Sequence, residues 1–433
     1  MEPGLWGRPR RKWAALALVA LLLALCCACL VEETSAYKRN AVVVDDDDEE
    51  DEDDDDEFDF MSTKLKTPSR AQATDEFTCN DAGAGECTAS PIQSVHARGL
   101  VTTRVRVNDI LREHARTASA SEEPSLFTGE ALGYVTPWNA RGYDFATRFR
   151  HKFAFIAPVW LQIREDGKTK APLLTGTHDV DRGWLDKVRG KDRDGPKIVP
   201  RVMYERNTLK SDDVPVIIDL LLALAKTHAL DGFVFEIPIV EGTMDILLRM
   251  GEAFKDAKLL LLLVIARSSN AGRLPLTSEM LDQLRPLVHR FTMNAYDYQT
   301  PGPNAPFEWI QATIESFREQ DRAKILMGLP FYGYDNSGLY WTYLVDTLPT
   351  GAIVGTTYID QLKQQDGIKI RWDAAAHECV HQFDSDRDGV RHTVYYPCLQ
   401  FLHDRLQLFQ QSGLAGTAVW ELGQGLEYFF DLL

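Results

Sequence analysis

No apolar run in this sequence is followed by a glycine-rich phosphate loop, and neither a G-x-S-x-G elbow nor histidines paired at metal-ligand spacing occur. These absences remove nucleotide chemistry, elbow-type serine hydrolysis and a dedicated metal centre, so neither cofactor nor metal is expected. A basic stripe is missing too, which excludes nucleic acid as a partner. No Asn-x-Ser/Thr sequon occurs, so N-glycosylation is not expected. Cysteine is scarce, with seven in 433 residues. Cys26, Cys27 and Cys29 lie in an apolar stretch, leaving Cys79, Cys87, Cys379 and Cys398 as an even set suited to an oxidising compartment. Proximity suggests Cys79–Cys87 and Cys379–Cys398, although four cysteines permit three connectivities.

What is present begins with an address. A basic Arg8–Lys12 segment precedes an apolar stretch from Trp13 to Val31. That stretch is long for a signal peptide and about the length of a membrane span. Residues 1–36 therefore read as a signal peptide or an uncleaved signal-anchor, with small-residue cleavage sites at Thr34-Ser35-Ala36 or Cys26-Cys27-Ala28. Either way the body enters the secretory lumen, and a secreted or lysosomal protein is expected. Stable membrane insertion is expected only if the segment stays uncleaved.

The formal charge of −17 is concentrated at one end. Asp45 to Glu57 is an unbroken run of thirteen acids, and residues 1–59 hold seventeen Asp/Glu against six Lys/Arg. Residues 37–95 read as an acidic, disordered segment with little to bury.

From about residue 130 short apolar runs alternate with helical patterns. Candidate strands cover 130–139, 151–163, 196–205, 230–238, 257–267, 289–298, 323–335 and 414–423. Eight strands with intervening helices predict an α/β protein with a (β/α)8 TIM barrel; a doubly wound sheet is the alternative. About 80 residues separate the last two strands, more than one helix needs, so a small α+β insertion over about 336–397 is expected. Within it "DSDRDG" (384–389) has the opening of a calcium loop, but position twelve is Tyr395 and a hairpin turn suits it better. The barrel region spans 96–433.

Chemistry in such barrels sits at the C-terminal strand ends. Here those ends gather Tyr134, Trp138, Trp160, Tyr204, Glu205, Asn294, Tyr296, Asp297, Tyr332, Trp420 and Glu421. Aromatic faces suit the CH faces of sugars, and Asp, Glu, Asn and Tyr can bond hydroxyls and amides. A saccharide cleft is the expectation.

The strings "LGYVTPWN", "APVWLQ", "HDVDRGW", "LDGFVFE", "NAYDYQTPGPNAP" and "WELGQGLEYFFDLL" resemble the family-18 glycoside hydrolases, and among them most the chitinase domain-containing, stabilin-interacting group. The resemblance covers about 97–433. It implies a (β/α)8 barrel, an insertion after the seventh strand, and chito-oligosaccharide or other N-acetylglucosamine-type glycan ligands. It also implies a stabilin-type scavenger-receptor partner and a part in innate immune sensing.

The family's hydrolytic signature is D-G-x-D-x-D-x-E on the fourth strand. Its last Glu protonates the glycosidic oxygen, and the Asp two residues earlier orients the substrate's own attacking acetamido group. Asp231-Gly232 match. The three carboxylate positions, all on one side of a strand, fall on Val234, Glu236 and Pro238. Proline cannot donate a proton, so no catalytic residue is assigned and a lectin without hydrolase activity is expected. Glu236 sits about 6–7 Å deeper along the strand, where it is expected to bond Tyr296 or a ligand amide, or to serve a structural network. The alternatives are an active glycosidase with a relocated acid, Glu241 or Glu421, and a protein-interaction scaffold. The family's M-x-Y-D pattern stands here as Asn294-Ala295-Tyr296-Asp297, and Trp420 matches the Trp that floors the central subsite. Tyr134, Trp138, Trp160, Glu236, Asn294, Tyr296, Asp297, Tyr332, Trp420 and Glu421 are the expected ligand contacts.

Overall fold

Two prolines break what reads as continuous strand in the sequence. In a computed structural model, Pro158 closes β2 (Phe155–Pro158), and β3 (Leu161–Glu165) starts three residues later; Pro200 separates β5 (Lys197–Ile198) from β6 (Arg201–Tyr204). Proline lacks the N–H that a central ladder needs, so pairing stops at these points. The structure describes residues 92–433 except 119–126, 192, 206–209, 268–273, 275, 299–300, 338–350 and 386–388.

The remaining barrel strands are β1 (Glu130–Val135), β7 (Gly232–Glu236), β8 (Leu260–Ile265), β9 (Arg290–Met293), β10 (Ile325–Pro330) and β16 (Gly416–Trp420). β4 (Pro172–Thr175) pairs antiparallel with β3 as a hairpin. The sheet order is β4-β3-β6-β7-β8-β9-β10-β16-β1-β2-β5. Since β2 and β3 are two halves of one strand, as are β5 and β6, the sheet curls on itself, and the second strand pairs the third twice. Ile156 lies opposite Ile198 and Leu161 opposite Val202, so the second strand carries one extra residue at Val159–Trp160. The result is a parallel (β/α)8 barrel.

Strands buried on both faces make two apolar layers. Leu132, Tyr134, Phe155, Ala157, Val159, Val199, Val234, Leu262, Val264, Leu326 and Ala418 fill the barrel interior. Phe233, Phe235 and Ile237 point outward into the larger cluster beneath the helices. Gly232 opens β7 because a Cβ there would lie 2.0 Å from the Leu260 carbonyl oxygen. Its neighbour Asp231 accepts the Ile198 N–H at 2.9 Å and tethers the third strand to the fourth.

Past β10 the chain builds a second sheet from β11 (Gly333–Ser337), β12 (Gly351–Ile353), β13 (Arg371–Asp373), β14 (Glu378–Asp384) and β15 (Arg391–Tyr395). All its pairings are antiparallel, in the order β12-β11-β15-β14-β13, with the helix Gly355–Gln364 beside them. This α+β insertion begins at Gly333, a few residues before the expected boundary. The "DSDRDG" segment joins β14 to β15, with Gly389 at φ +70 donating to Ser385 O at 2.8 Å. Cys379 on β14 is disulfide-bonded to Cys398 at the start of the helix Leu399–Gln411. Cys79 and Cys87, the address segment and the acid run lie outside the described residues. Among the described residues no helix is long and apolar enough to cross a membrane.

Behind the barrel rim runs a buried polar network. Arg405, with no exposed surface, donates to the carbonyls of His377 and Phe401 at 3.0 Å, Ala376 at 3.1 Å, and Ala305. Its guanidinium stands 3.9 Å from Glu378. Glu378 in turn accepts the backbone N–H of Asn304 at 3.1 Å and of Ala305 at 2.7 Å. These bonds hold the loop that follows β9.

Candidate functional site

The barrel mouth holds a cavity of about 220 Å³ lined by Tyr134, Arg201, Glu236, Val264, Asn294, Tyr296, Asp297 and Trp420. Each comes from a strand or from the loop just past β9, so the barrel itself converges them. Period-two alternation explains the fourth strand: Val234 is sealed in the interior, and Glu236 two residues on reaches the cavity. Pro238, two residues beyond β7, is exposed, and its carbonyl accepts the Thr243 hydroxyl at 2.7 Å.

Glu236 forms an ion pair with Arg201 of the neighbouring strand, through both Nε and Nη2. The hydrogen bond expected between Glu236 and Tyr296 is not made. Tyr296 instead donates to Asn294 Oδ1 at 3.2 Å. The Arg201 guanidinium also lies 5.0 Å from the centroid of the Trp420 ring, within cation–π range. Trp420 meets Tyr134 at 5.2 Å between ring centroids.

Asp297, at φ +60, closes the other side. Its Oδ1 accepts the hydroxyls of Tyr332 and, at 2.5 Å, Tyr334. The Asp297 N–H donates to Asn304 Oδ1 at 2.8 Å, which ties the cavity to the Arg405 network. Arg267 donates to the Asp297 carbonyl. Burial pushes the Tyr134 phenol up to about 12, and raises Tyr296 well above the ordinary phenol range with Tyr134 beside it. Burial, reinforced by Asp297, also raises Tyr332 and Tyr334. All four phenols therefore stay protonated and can both donate and accept. The cavity presents aromatic faces, neutral hydroxyls, one guanidinium and two carboxylates, a set suited to binding a polar ring with an amide substituent. Among the described residues no cluster of His, Cys, Asp or Glu is placed to hold a metal.

Of the ten expected contacts, Tyr134, Glu236, Asn294, Tyr296, Asp297 and Trp420 line this cavity, and Tyr332 supports it through Asp297. Trp138 stands on the rim, 71% exposed. Two require correction. Trp160 is fully buried in the outer layer, where its Nε1 donates to the Tyr143 hydroxyl at 2.6 Å and its ring packs on Trp184. Glu421, just past the end of β16, does not line the cavity. It is sealed between Asn139, which donates at 2.6 Å, and the Gly423 N–H at 3.1 Å. Glu205 pairs with Arg164 at 2.8 Å on the surface. Arg201 and Val264 line the cavity and Tyr334 supports it through Asp297, and the sequence reading passed over all three. The signal for Arg201 was its position: Val199, Arg201 and Met203 share one face of the third strand by alternation.

The profile of glycosyl hydrolases family 18 matches residues 204–425. A putative sporulation-specific glycosylase, YdhD of Bacillus subtilis (strain 168), is 27% identical over 146 residues, 32% of this chain and 33% of that protein. The match thus spans about a third of that relative's own length. Among solved structures, a chitinase from Chromobacterium violaceum ATCC 12472 superposes with a TM-score of 0.59 at 20% identity, covering 70% of this chain and 98% of the other. The spore cortex-lytic enzyme SleL of Bacillus megaterium QM B1551 does so at 0.57 and 16% identity, covering 78% and 83%. These two likenesses speak to the fold. With half of the chain matched by the profile and the barrel cavity in place, this chain belongs to glycosyl hydrolases family 18.

Proposed function

We propose that the barrel is a chitinase-like lectin that binds chitin-type N-acetylglucosamine oligosaccharides and does not cleave them. One observation carries this reading. On the fourth strand Glu236 faces the cavity locked to Arg201, and the place two residues farther, where the family pattern sets its proton donor, is taken by exposed Pro238. General acid–base assistance typically contributes about 10²–10⁴-fold, and Pro238 offers none. Binding needs less: Trp420 and Tyr134 supply apolar faces, while Tyr296, Asn294 and Asp297 supply hydrogen-bonding groups. The cavity is smaller than the roughly 300–1,000 Å³ of typical ligand pockets. It suits one sugar residue, with the rest of the chain lying along the rim toward Trp138.

The finer parts of the reading follow from the resemblance: a member of the chitinase domain-containing group, secreted or lysosomal, meeting a stabilin-type scavenger receptor and serving innate sensing. Incubation with chitotetraose tests the core of it. The expected result is saturable binding with the tetramer recovered intact. Trp420→Ala, folded by circular dichroism, is expected to lose at least about tenfold in affinity, in line with roughly 1–3 kcal/mol for aromatic stacking and burial. Turnover abolished by Glu241→Gln would instead establish a hydrolase with a relocated acid, since Glu421 is sealed and Glu241 is exposed. No saccharide binding at all would favour a protein-interaction scaffold.

A further inference from the structure

Arg201 is unusual among the cavity residues because its bonds leave part of it idle. Nε and Nη2 both reach the same oxygen of Glu236, and Nη1 has no partner among the described residues although it is not sealed from solvent. Opposite in function stands Asp297. Its Oδ1 is occupied by two tyrosine hydroxyls, whereas Oδ2 has no partner among the described residues and is likewise unsealed. The two residues line one cavity of about 220 Å³. That cavity therefore offers one free cationic donor edge and one free carboxylate acceptor, between aromatic walls.

We propose that Arg201 is the specificity-determining residue of this cavity, selecting sugars whose 2-substituent is an acetamido group over those bearing an amine or a hydroxyl. The inference rests on the glycan-binding reading above and deepens it. An acetamido group carries one acceptor and one N–H donor, which answers both free edges at once. A 2-ammonium carries donors only, so it leaves the Arg201 edge unmet and sets a second cation beside the guanidinium. A 2-hydroxyl offers a single oxygen for both roles, where the acetamido group offers separate donor and acceptor atoms. Anionic sugars are disfavoured because Glu236 already neutralises Arg201 and Asp297 remains negative. The ion pair with Glu236 and the Trp420 ring fix the guanidinium in place, so the donor edge is pre-organised and little ordering is lost on binding. Lysine cannot reproduce this, because it lacks the planar fork.

The test is isothermal titration of three tetrasaccharides into the full-length protein: chitotetraose, its fully deacetylated glucosamine counterpart, and cellotetraose. The wild type is expected to prefer chitotetraose at least about tenfold over each of the others. The paired variant Arg201→Gln/Glu236→Gln removes the guanidinium without leaving the Glu236 carboxylate unpaired. It is expected to lose roughly 10–100-fold for chitotetraose, the scale of a hydrogen bond to a charged group, together with most of the preference. Arg201→Lys keeps the charge and the ion pair, and is expected to show the same loss of preference; it serves if the paired variant does not fold. Wild-type binding without preference, or variants that keep both affinity and preference, would overturn the role of Arg201 while leaving the lectin reading intact. Failure of the wild type to bind any of the three would overturn both.

Discussion

Glu421 carries the sharpest consequence at the scale of single residues. Its carboxyl is wholly buried at the end of β16, and burial pushes it up to about 7 from an ordinary 4.5 against the opposing pull of the Gly423 N–H, the Asn139 amide and the more distant Arg141. A carboxyl whose folded pKa is raised holds its proton more tightly in the native state. The native state then binds more protons than the unfolded one between about pH 4.5 and 7, so stability falls as pH rises through that window. The contribution is fully present below about 4.5, and its loss amounts to something on the order of 3 kcal/mol above pH 7. Glu421→Gln cannot ionise, and Asn139 can turn its amide to meet the new one. The variant is expected to match the wild type at pH 4 and to exceed it in urea-unfolding free energy at pH 8. Equal stabilities at both pH values would show that the buried carboxyl does not titrate in this range. An acid compartment, as the lysosomal proposal requires, is where such a carboxyl costs least.

At the scale of elements, the cavity depends on parts that lie well outside it. The loop after β9 places Asp297, and it is held by Asn304, whose N–H is held by Glu378 of β14, which faces Arg405 of the helix Leu399–Gln411. Burial raises the Glu378 carboxyl despite Arg405, and lowers the Arg405 guanidinium to about 10 despite Glu378. Each charge is tolerable only because the other is there. Arg405→Met strands Glu378 and orphans the carbonyls of Ala305, Ala376, His377 and Phe401. It is expected to cost about 3–5 kcal/mol in chemical denaturation, the range for a broken buried pair. Chitotetraose affinity should fall with it, because Asp297 loses its scaffold; an unchanged unfolding midpoint would mean that water replaces the guanidinium. None of this network was legible in the sequence, since Asn304, Glu378 and Arg405 are far apart in the chain and each reads as an ordinary surface residue. Arg201 was missed for a related reason: its partner Glu236 lies 35 residues on, and only the strand register brings them together. Trp160 was misplaced by a single residue. The extra position at Val159–Trp160 shifts the alternation, so that Trp160 and Leu161 both turn to the outer layer while Val159 stays inside.

On the scale of the whole molecule the barrel itself was the most legible feature, because parallel strands buried on both faces leave apolar runs such as Leu260–Ile265 and Ile325–Pro330 that no surface segment would carry. The α+β insertion was legible as excess length, but its five-stranded order was not, since antiparallel register is set by pairs distant in sequence such as Tyr334 with Tyr395. Eight strands closed into one ring make the mouth a property of the entire barrel: Tyr134, Arg201, Glu236, Val264 and Trp420 come from five different strands. A ligand seated there touches both the first and the last strand of the barrel, so it can bind only when the ring is closed. Binding to the native state alone stabilises by RT ln(1 + [L]/Kd), about 2.7 kcal/mol at a hundredfold excess over Kd. For a chain of this size that corresponds to a rise in melting temperature of about 3–4 °C. Chitotetraose at that excess is accordingly expected to raise the melting temperature of the wild type by about this amount, as one cooperative transition, in differential scanning calorimetry. The rise should fall to about half or less for Trp420→Ala at the same ligand concentration, since a tenfold weaker Kd leaves about 1.4 kcal/mol. A shift of equal size in the Trp420→Ala protein would place the saccharide somewhere other than the barrel mouth.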